Sequence, residues 1–157
     1  MPIDDDEFRS TLSLFASGVT VVTTCDAGRL HGLTVSAFSS LSLRPPLVLI
    51  CVNSQNGSRK AVADSRVFAV NFLSDLQENL SRRFASRAPD KFEGIAYTRG
   101  IGDVPVLAGA LASLECRLVH AYEGGDHTIF VGEIERVTRT SGEPLLYYRG
   151  SYARLTA

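Results

Sequence analysis

Nowhere in this chain does a GxGxxG segment follow the first strand-like run, and no GxxxxGK[ST] segment occurs, which argues against a Rossmann or P-loop nucleotide site. The histidines are His31, His120 and His127, with no HExxH pattern and no paired Cys-x-x-Cys, so a metal site is not expected. Neither Gly57-Ser58-Arg59 nor Ala16-Ser17-Gly18 has the nucleophile-elbow pattern, which argues against a serine hydrolase. Cysteine is scarce: Cys25, Cys51 and Cys116 are odd in number, far apart, and each inside an apolar strand-like run. Buried free thiols in a reducing compartment are expected, not disulfides. A formal charge of −1 gives no reason to expect nucleic acid or an anionic membrane as partner. No run approaches the roughly 18 apolar residues of a membrane span, and the acidic start MPIDDDEF lacks an apolar signal core, so the expectation is a soluble cytoplasmic protein.

What is present reads as one domain. At 157 residues, 45% hydrophobic and 21% charged, the chain is ordinary for a globular protein. It is long enough to bury roughly 70% of its unfolded surface in one core without metal or disulfide support. Asp4 to Glu7 place negative charge at a helix N-terminus, with Phe8, Leu12 and Phe15 at helical spacing and Gly18 as the stop. Val19 to Thr24, the turn Asp26-Ala27-Gly28 and Leu30 to Val35 read as an antiparallel hairpin. Leu47 to Val52 and Val67 to Phe72 read as buried strands, with a short helix through Ala61 and Ala63 between them. A capping box, Ser74 with Gln77 or Asp75 with Glu78, then starts a helix with the stripe Leu76, Leu80 and Phe84.

Ala88 to Val104 is irregular, a length uncommon in loops without function. Ala110 to Tyr122 alternates with period two, Glu123 to Asp126 turns, and His127 to Val137 pairs back, Gly132 marking a bulge or a close backbone approach. Leu145 to Arg149 is a last strand before Tyr152. Six or seven strands with short helices between hairpins suggest a mainly β, closed or partly open antiparallel barrel.

The segment Gly32 to Asn53, GLTVSAFSSLSLRPPLVLICVN, sets Thr34, Ser36, Ser39, Ser40 and Ser42 between two strand-like runs. Small hydroxyl residues let a flat ligand reach the backbone; an ordinary Ser-rich connection fits the spacing equally well. After Asn53, the run Ser54 to Lys60 leads into a helix whose free N–H groups, with Ser58 and two cations, can receive a phosphate or simply form a capped surface turn.

This segment, together with FRSTLSLFASGVTVVTT before it and LSRRFA, DKFEG, GDHTIFVGEI and PLLYYRGSY after it, closely resembles the flavin reductase-like family. The nearest group is the short NAD(P)H:flavin reductases that supply two-component monooxygenases. The resemblance implies a single-domain split β-barrel of the FMN-binding, Greek-key type with short peripheral helices. It implies a homodimer with flavin near the subunit interface, hydride transfer from NADH or NADPH to N5 of FMN or FAD, and an oxygenase component that receives the reduced flavin.

It also implies residue roles. Thr34, Val35, Ser36, Ala37, Ser39 and Ser40 would meet the ring and ribityl chain, and Cys51, Val52 and Asn53 would offer backbone groups. Ser58, Ser81 and Arg82 would lie near phosphate, and Phe92 beside the flavin or its entrance. Lys91 has either a ligand role or a solvated one. His127 of the GDH motif, with His31, Tyr148, Arg149 and Tyr152, would meet the nicotinamide nucleotide. His120 packs. Position alone leaves His127 equally a turn-stabilising residue, arginines late in a helix equally partners of its dipole, and terminal tyrosines equally barrel closers. Rival readings are a flavin-binding module without turnover, a related split-barrel oxidase or haem-binding protein, and a structural barrel.

Overall fold

The computed structural model describes residues 2–156. Its first element, α1 (Asp5–Leu12), is capped by Asp4, whose carboxylate accepts from Glu7 N at 2.8 Å. The helix ends at Leu12, so Phe15 and Gly18 fall outside it, and Gly18 belongs to a two-residue strand β1 (Ser17–Gly18). None of α1 is buried; Phe8, Leu12 and Phe15 are 52%, 53% and 80% exposed, so the apolar residues at helical spacing stay uncovered among the described residues.

Strands β2 (Thr20–Asp26) and β3 (Arg29–Val35) form the expected hairpin. Its loop, Ala27-Gly28, has φ of 49° and 80°, the positive pair that matches strand twist in a tight hairpin. The stretch after it is not the loop the serines suggest. Phe38 to Ser42 form a strand, β4 (Phe38–Ser42), paired with β5 (Leu47–Asn53); Phe38 and Ser42 are half-buried while Ser39, Ser40 and Leu41 are exposed, as the edge of a sheet allows. Only Ser36 and Ala37 remain as a connection.

The main sheet has the order β3-β2-β6-β9-β10-β5-β4, with β6 (Val67–Phe72), β9 (Ala112–Gly124) and β10 (His127–Arg139). Its edge strands β3 and β4 are consecutive in sequence. Seven flat strands about 4.8 Å apart would hold the edges about 29 Å apart. The three Cα steps from Val35 to Phe38 reach no more than about 11 Å, so the sheet must curl until its edges approach. Val22, Ile50, Phe68, Val70 and Phe130, all essentially inaccessible, fill the concave side.

Gly132 meets both expectations: the β9–β10 register shifts beside it, and a Cβ there would stand 2.5 Å from Phe68 and 2.8 Å from Cys116. Helix α2 (Gly57–Ser65) follows β5, and α3 (Glu78–Ala85) follows β6. Gln77 Oε1 accepts from Ser74 N at 2.9 Å, as the Ser74–Gln77 box predicts, but this bond lies ahead of the helix, whose N-cap is Gln77 with no side-chain cap bond. Leu80 and Phe84 of the predicted stripe pack inward, but Leu76 precedes the helix and is 85% exposed.

The segment expected to be irregular carries a small hairpin, β7 (Tyr97–Arg99) with β8 (Pro105–Leu107), whose pairing partner lies beyond the range where local periodicity reveals it. The last strand stops one residue early as β11 (Leu145–Tyr148). Arg149 and Gly150, with φ of 52° and 75°, then turn the chain into β12 (Ser151–Arg154), which joins β1 and β11 in a separate sheet. All three cysteines are free, but only Cys116 is fully buried; Cys51 is half-buried because β5 has one partly open face, and Cys25 because it lies at the end of β2 beside the hairpin turn.

Candidate functional site

Three segments far apart in sequence enclose a cleft of about 1020 Å³: the start of β3, the passage from β5 into α2, and the chain from Ser86 to Phe92 after α3. The cleft brings together His31, Asn53, Ser58 and Phe92 of the predicted residues. Ser58 is buried in the first turn of α2, where Asn56 Oδ1 accepts from its N–H at 2.8 Å. Phe92 meets Phe84 edge-on at 5.0 Å and Tyr97 at 5.7 Å. Gly32 permits this stack, since a Cβ there would lie 2.6 Å from the Phe84 ring and 3.2 Å from Phe92.

Lys91 is neither solvated nor free. Its ammonium donates to Gly32 O and Phe84 O, each at 3.1 Å, and so pins the wall segment to β3 and α3. Burial lowers its pKa. His31 beside it is also held below its ordinary 6.5, first by burial and then by the charge of Arg29, with Lys91 adding to the effect and Asp26 opposing it. Arg29, Arg87 and Lys91 line the cleft against one carboxylate, Asp90, so its field is positive.

A second hollow of about 520 Å³ lies between α3 and the β11–β12 hairpin and adjoins the cleft at Ser86. Arg82 and Tyr152 line it, the guanidinium 4.8 Å from the Tyr152 ring centroid. Arg82 Nε also donates to Glu78 at 3.0 Å. Ser81 is wholly buried behind them: its hydroxyl is 2.6 Å from that of Tyr152, and its carbonyl accepts from Thr34 Oγ1 at 2.6 Å. Residues assigned separately to flavin phosphate and nicotinamide thus share one hollow.

The remaining candidates lie elsewhere. His127 pairs with Asn53 across the β10–β5 ladder, which sets it beside the cleft wall; its Nδ1 is 2.7 Å from Asp126, whose pKa it lowers. Val35 and Val52 are core residues with only backbone to offer. Ser36, Ala37, Ser39 and Ser40 are exposed along the connection and β4 and line neither hollow. Cys51 is half-buried, its thiol pKa raised by desolvation, and its N–H donates to Ala37 O at 3.0 Å. Tyr148 and Arg149 line neither hollow; Arg149 Nε donates to Tyr148 Oη at 3.0 Å.

Sequence reasoning missed Arg29, Asn56 and Arg87 in the cleft, and Glu78 and Tyr147 in the hollow. Asn56 carries a helix-capping signal that could have found it. The arginines carry none, because only folding brings them to one cleft.

The flavin reductase like domain model matches residues 12–156. Over 151 residues the chain is 42% identical to the reductase subunit HsaB of a flavin-dependent monooxygenase from Rhodococcus jostii, covering 96% of this chain and 77% of that one. It is 44% identical over 152 residues to the reductase component of a 4-nitrophenol 4-monooxygenase/4-nitrocatechol 2-monooxygenase from Rhodococcus opacus, covering 96% and 81%. The structure is similar to that of the Streptomyces globisporus NADH:FAD oxidoreductase SgcE6 in complex with NAD and FAD fragments, with a TM-score of 0.94, 39% identity, and coverage of 99% and 95%.

Proposed function

The chain belongs to the flavin reductase like family, and we propose that it reduces FMN or FAD with NADH or NADPH and supplies the reduced flavin to a partner monooxygenase. The observation that carries this reading is the positive cleft of about 1020 Å³, on which His31, Asn53, Ser58 and Phe92 converge. Its size suits a cofactor. Its polar wall at the start of α2 and its surplus of cations suit a flavin phosphate.

When bound, the two cofactors supply the hydride donor and acceptor. The chain binds, orients and shields them. Asn53, Ser58 and Phe92 hold the flavin in the cleft. From outside the cleft, Thr34 at the end of β3, Ser36 and Ala37 of the connection, Ser39 and Ser40 of β4, and the backbone of Val35, Cys51 and Val52 would meet the flavin where it extends past the cleft. His31, whose charged form burial and Arg29 disfavour, and His127 attend the nicotinamide from the adjoining edge. Ser81, Arg82, Tyr148, Arg149 and Tyr152 act from the second hollow and the C-terminal hairpin.

The curled sheet is a split β-barrel, and two copies form a homodimer whose interface borders the flavin. Exposed Phe8, Leu12, Leu14, Phe15, Leu41 and Leu43 support the dimer, since a monomer seldom leaves so much apolar surface in water. The free thiols support a reducing, cytoplasmic setting. Among the described residues no helix is long and apolar enough to cross a membrane.

The test is anaerobic: protein with NADH or NADPH and an excess of FMN or FAD, followed by the loss of oxidised flavin absorbance near about 450 nm. Bleaching of many flavin equivalents establishes the reductase. Flavin binding without bleaching by either nucleotide overturns it in favour of a binding module.

A further inference from the structure

The charge of the cleft is out of balance with its own walls. Lys91 is committed to two backbone carbonyls. Arg29 and Arg87 line the same cleft, and neither has an ion-pair partner among the described residues. The field of Arg29 reaches inward, being the largest charge effect that drives His31 toward its neutral form. The N-terminus of α2, with Ser58 and its cap Asn56, lines the same cleft and offers a separate place for one phosphate.

We propose that Arg29 and Arg87 form a subsite for a second phosphate, so that the cleft prefers the dinucleotide flavin FAD to FMN. The inference rests on the flavin reductase reading above. A guanidinium meets a phosphate through two parallel N–H donors and gains most where its charge is otherwise unpaired. A single phosphate at α2 leaves the two arginines without an anion, whereas a pyrophosphate offers one phosphate to α2 and one to them. The 2′-phosphate of NADPH has the same chemistry and is the competing occupant.

The experiment compares the full chain with R29Q, R87Q and the double variant. Riboflavin, FMN and FAD are titrated by flavin fluorescence at two salt concentrations, and KM is measured for NADH and NADPH. The wild type should bind FAD about tenfold or more tighter than FMN, a gap the double variant closes while its riboflavin affinity stays within about twofold. The salt dependence of FAD binding should also weaken in the double variant. Equal wild-type affinity for FMN and FAD overturns the subsite while leaving the reductase reading intact, as does an equal loss for all three flavins. A change confined to the KM for NADPH assigns the arginines to the nicotinamide nucleotide and also overturns it. Failure of the wild type to bind any flavin overturns the reductase reading itself. Both arginines lie at the cleft surface, and circular dichroism of the single variants checks that the fold survives.

Discussion

The hydroxyls of Ser81 and Tyr152 lie 2.6 Å apart and tie α3 to the C-terminal hairpin. Ser81 is fully buried, so its hydroxyl has no water to turn to if Tyr152 is lost. Tyr152→Phe should lower stability by about 1 to 2 kcal/mol, and Ser81→Ala by a similar amount. The double variant should fall short of the sum, since each change alone strands the other's partner. Urea denaturation midpoints of the four proteins measure this, and simple additivity would show that the contact contributes nothing.

Asn71 of β6 is buried where it meets β2, β8 and β9, and both ends of its amide are engaged. Its Nδ2 donates to Val21 O at 2.9 Å and to Thr23 Oγ1 at 3.2 Å, and its Oδ1 accepts from Leu107 N at 3.0 Å and Ser113 Oγ at 2.8 Å. Asn71→Ala strands several buried groups and should cost about 3 kcal/mol or more. Asn71→Asp should be at least as damaging, because a carboxylate cannot donate to Val21 O and its charge is buried without a cation. Thermal unfolding of the two variants checks the order.

Cys116 ionises near 9.0 when exposed, but burial, with Glu115 and Glu135 nearby, pushes its thiol up to about 12. Above pH 9.0 the unfolded chain releases a proton that the folded chain keeps. This contribution to stability is therefore complete below about pH 9 and is lost as pH rises toward about 12, at roughly 1.4 kcal/mol per unit. Cys116→Ala, weakened at neutral pH by its cavity, should show a shallower alkaline decline. A thiol-titrating disulfide reagent should modify half-buried Cys25 and Cys51 in the native protein and Cys116 only after denaturation.

His31 should titrate below 6.5 by NMR, since burial and then Arg29 both disfavour its charged form. Arg29→Gln should move the midpoint upward. The unfolded chain takes up this proton first as pH falls, so the stability His31 contributes is present above about 6.5 and lost below it. A midpoint unmoved by Arg29→Gln would mean that the charge of Arg29 does not reach the ring.

Much of the fold was legible because strand periodicity is local. Ala112 to His120 alternates along its own chain, so β9 and its inward Leu114, Cys116 and Leu118 follow from residue order, whereas the burial of Ser113 and Glu115 on the other face and the exposure of His120 do not. The Ala27-Gly28 turn follows from backbone sterics, and the demand for Gly132 from the crowding that a strand-interior glycine signals. The serine-rich stretch misled because an edge strand with a polar face looks like a loop when its partner β5 is not in view. Leu76 misled because its helix starts two residues later, at Glu78.

Residue order alone was enough for a single mainly β domain, its principal hairpins, and the family whose motifs run along nearly the whole chain. Those properties depend on neighbours in sequence. Folding was needed to bring Arg29, Asn56 and Arg87 into one cleft with His31, to join Arg82 to Tyr152 rather than Ser58, and to make Lys91 a structural pin. The physical reason is the curl of the seven-stranded sheet. It carries segments separated by tens of residues into contact, and no periodicity in the chain records which side chains will meet there.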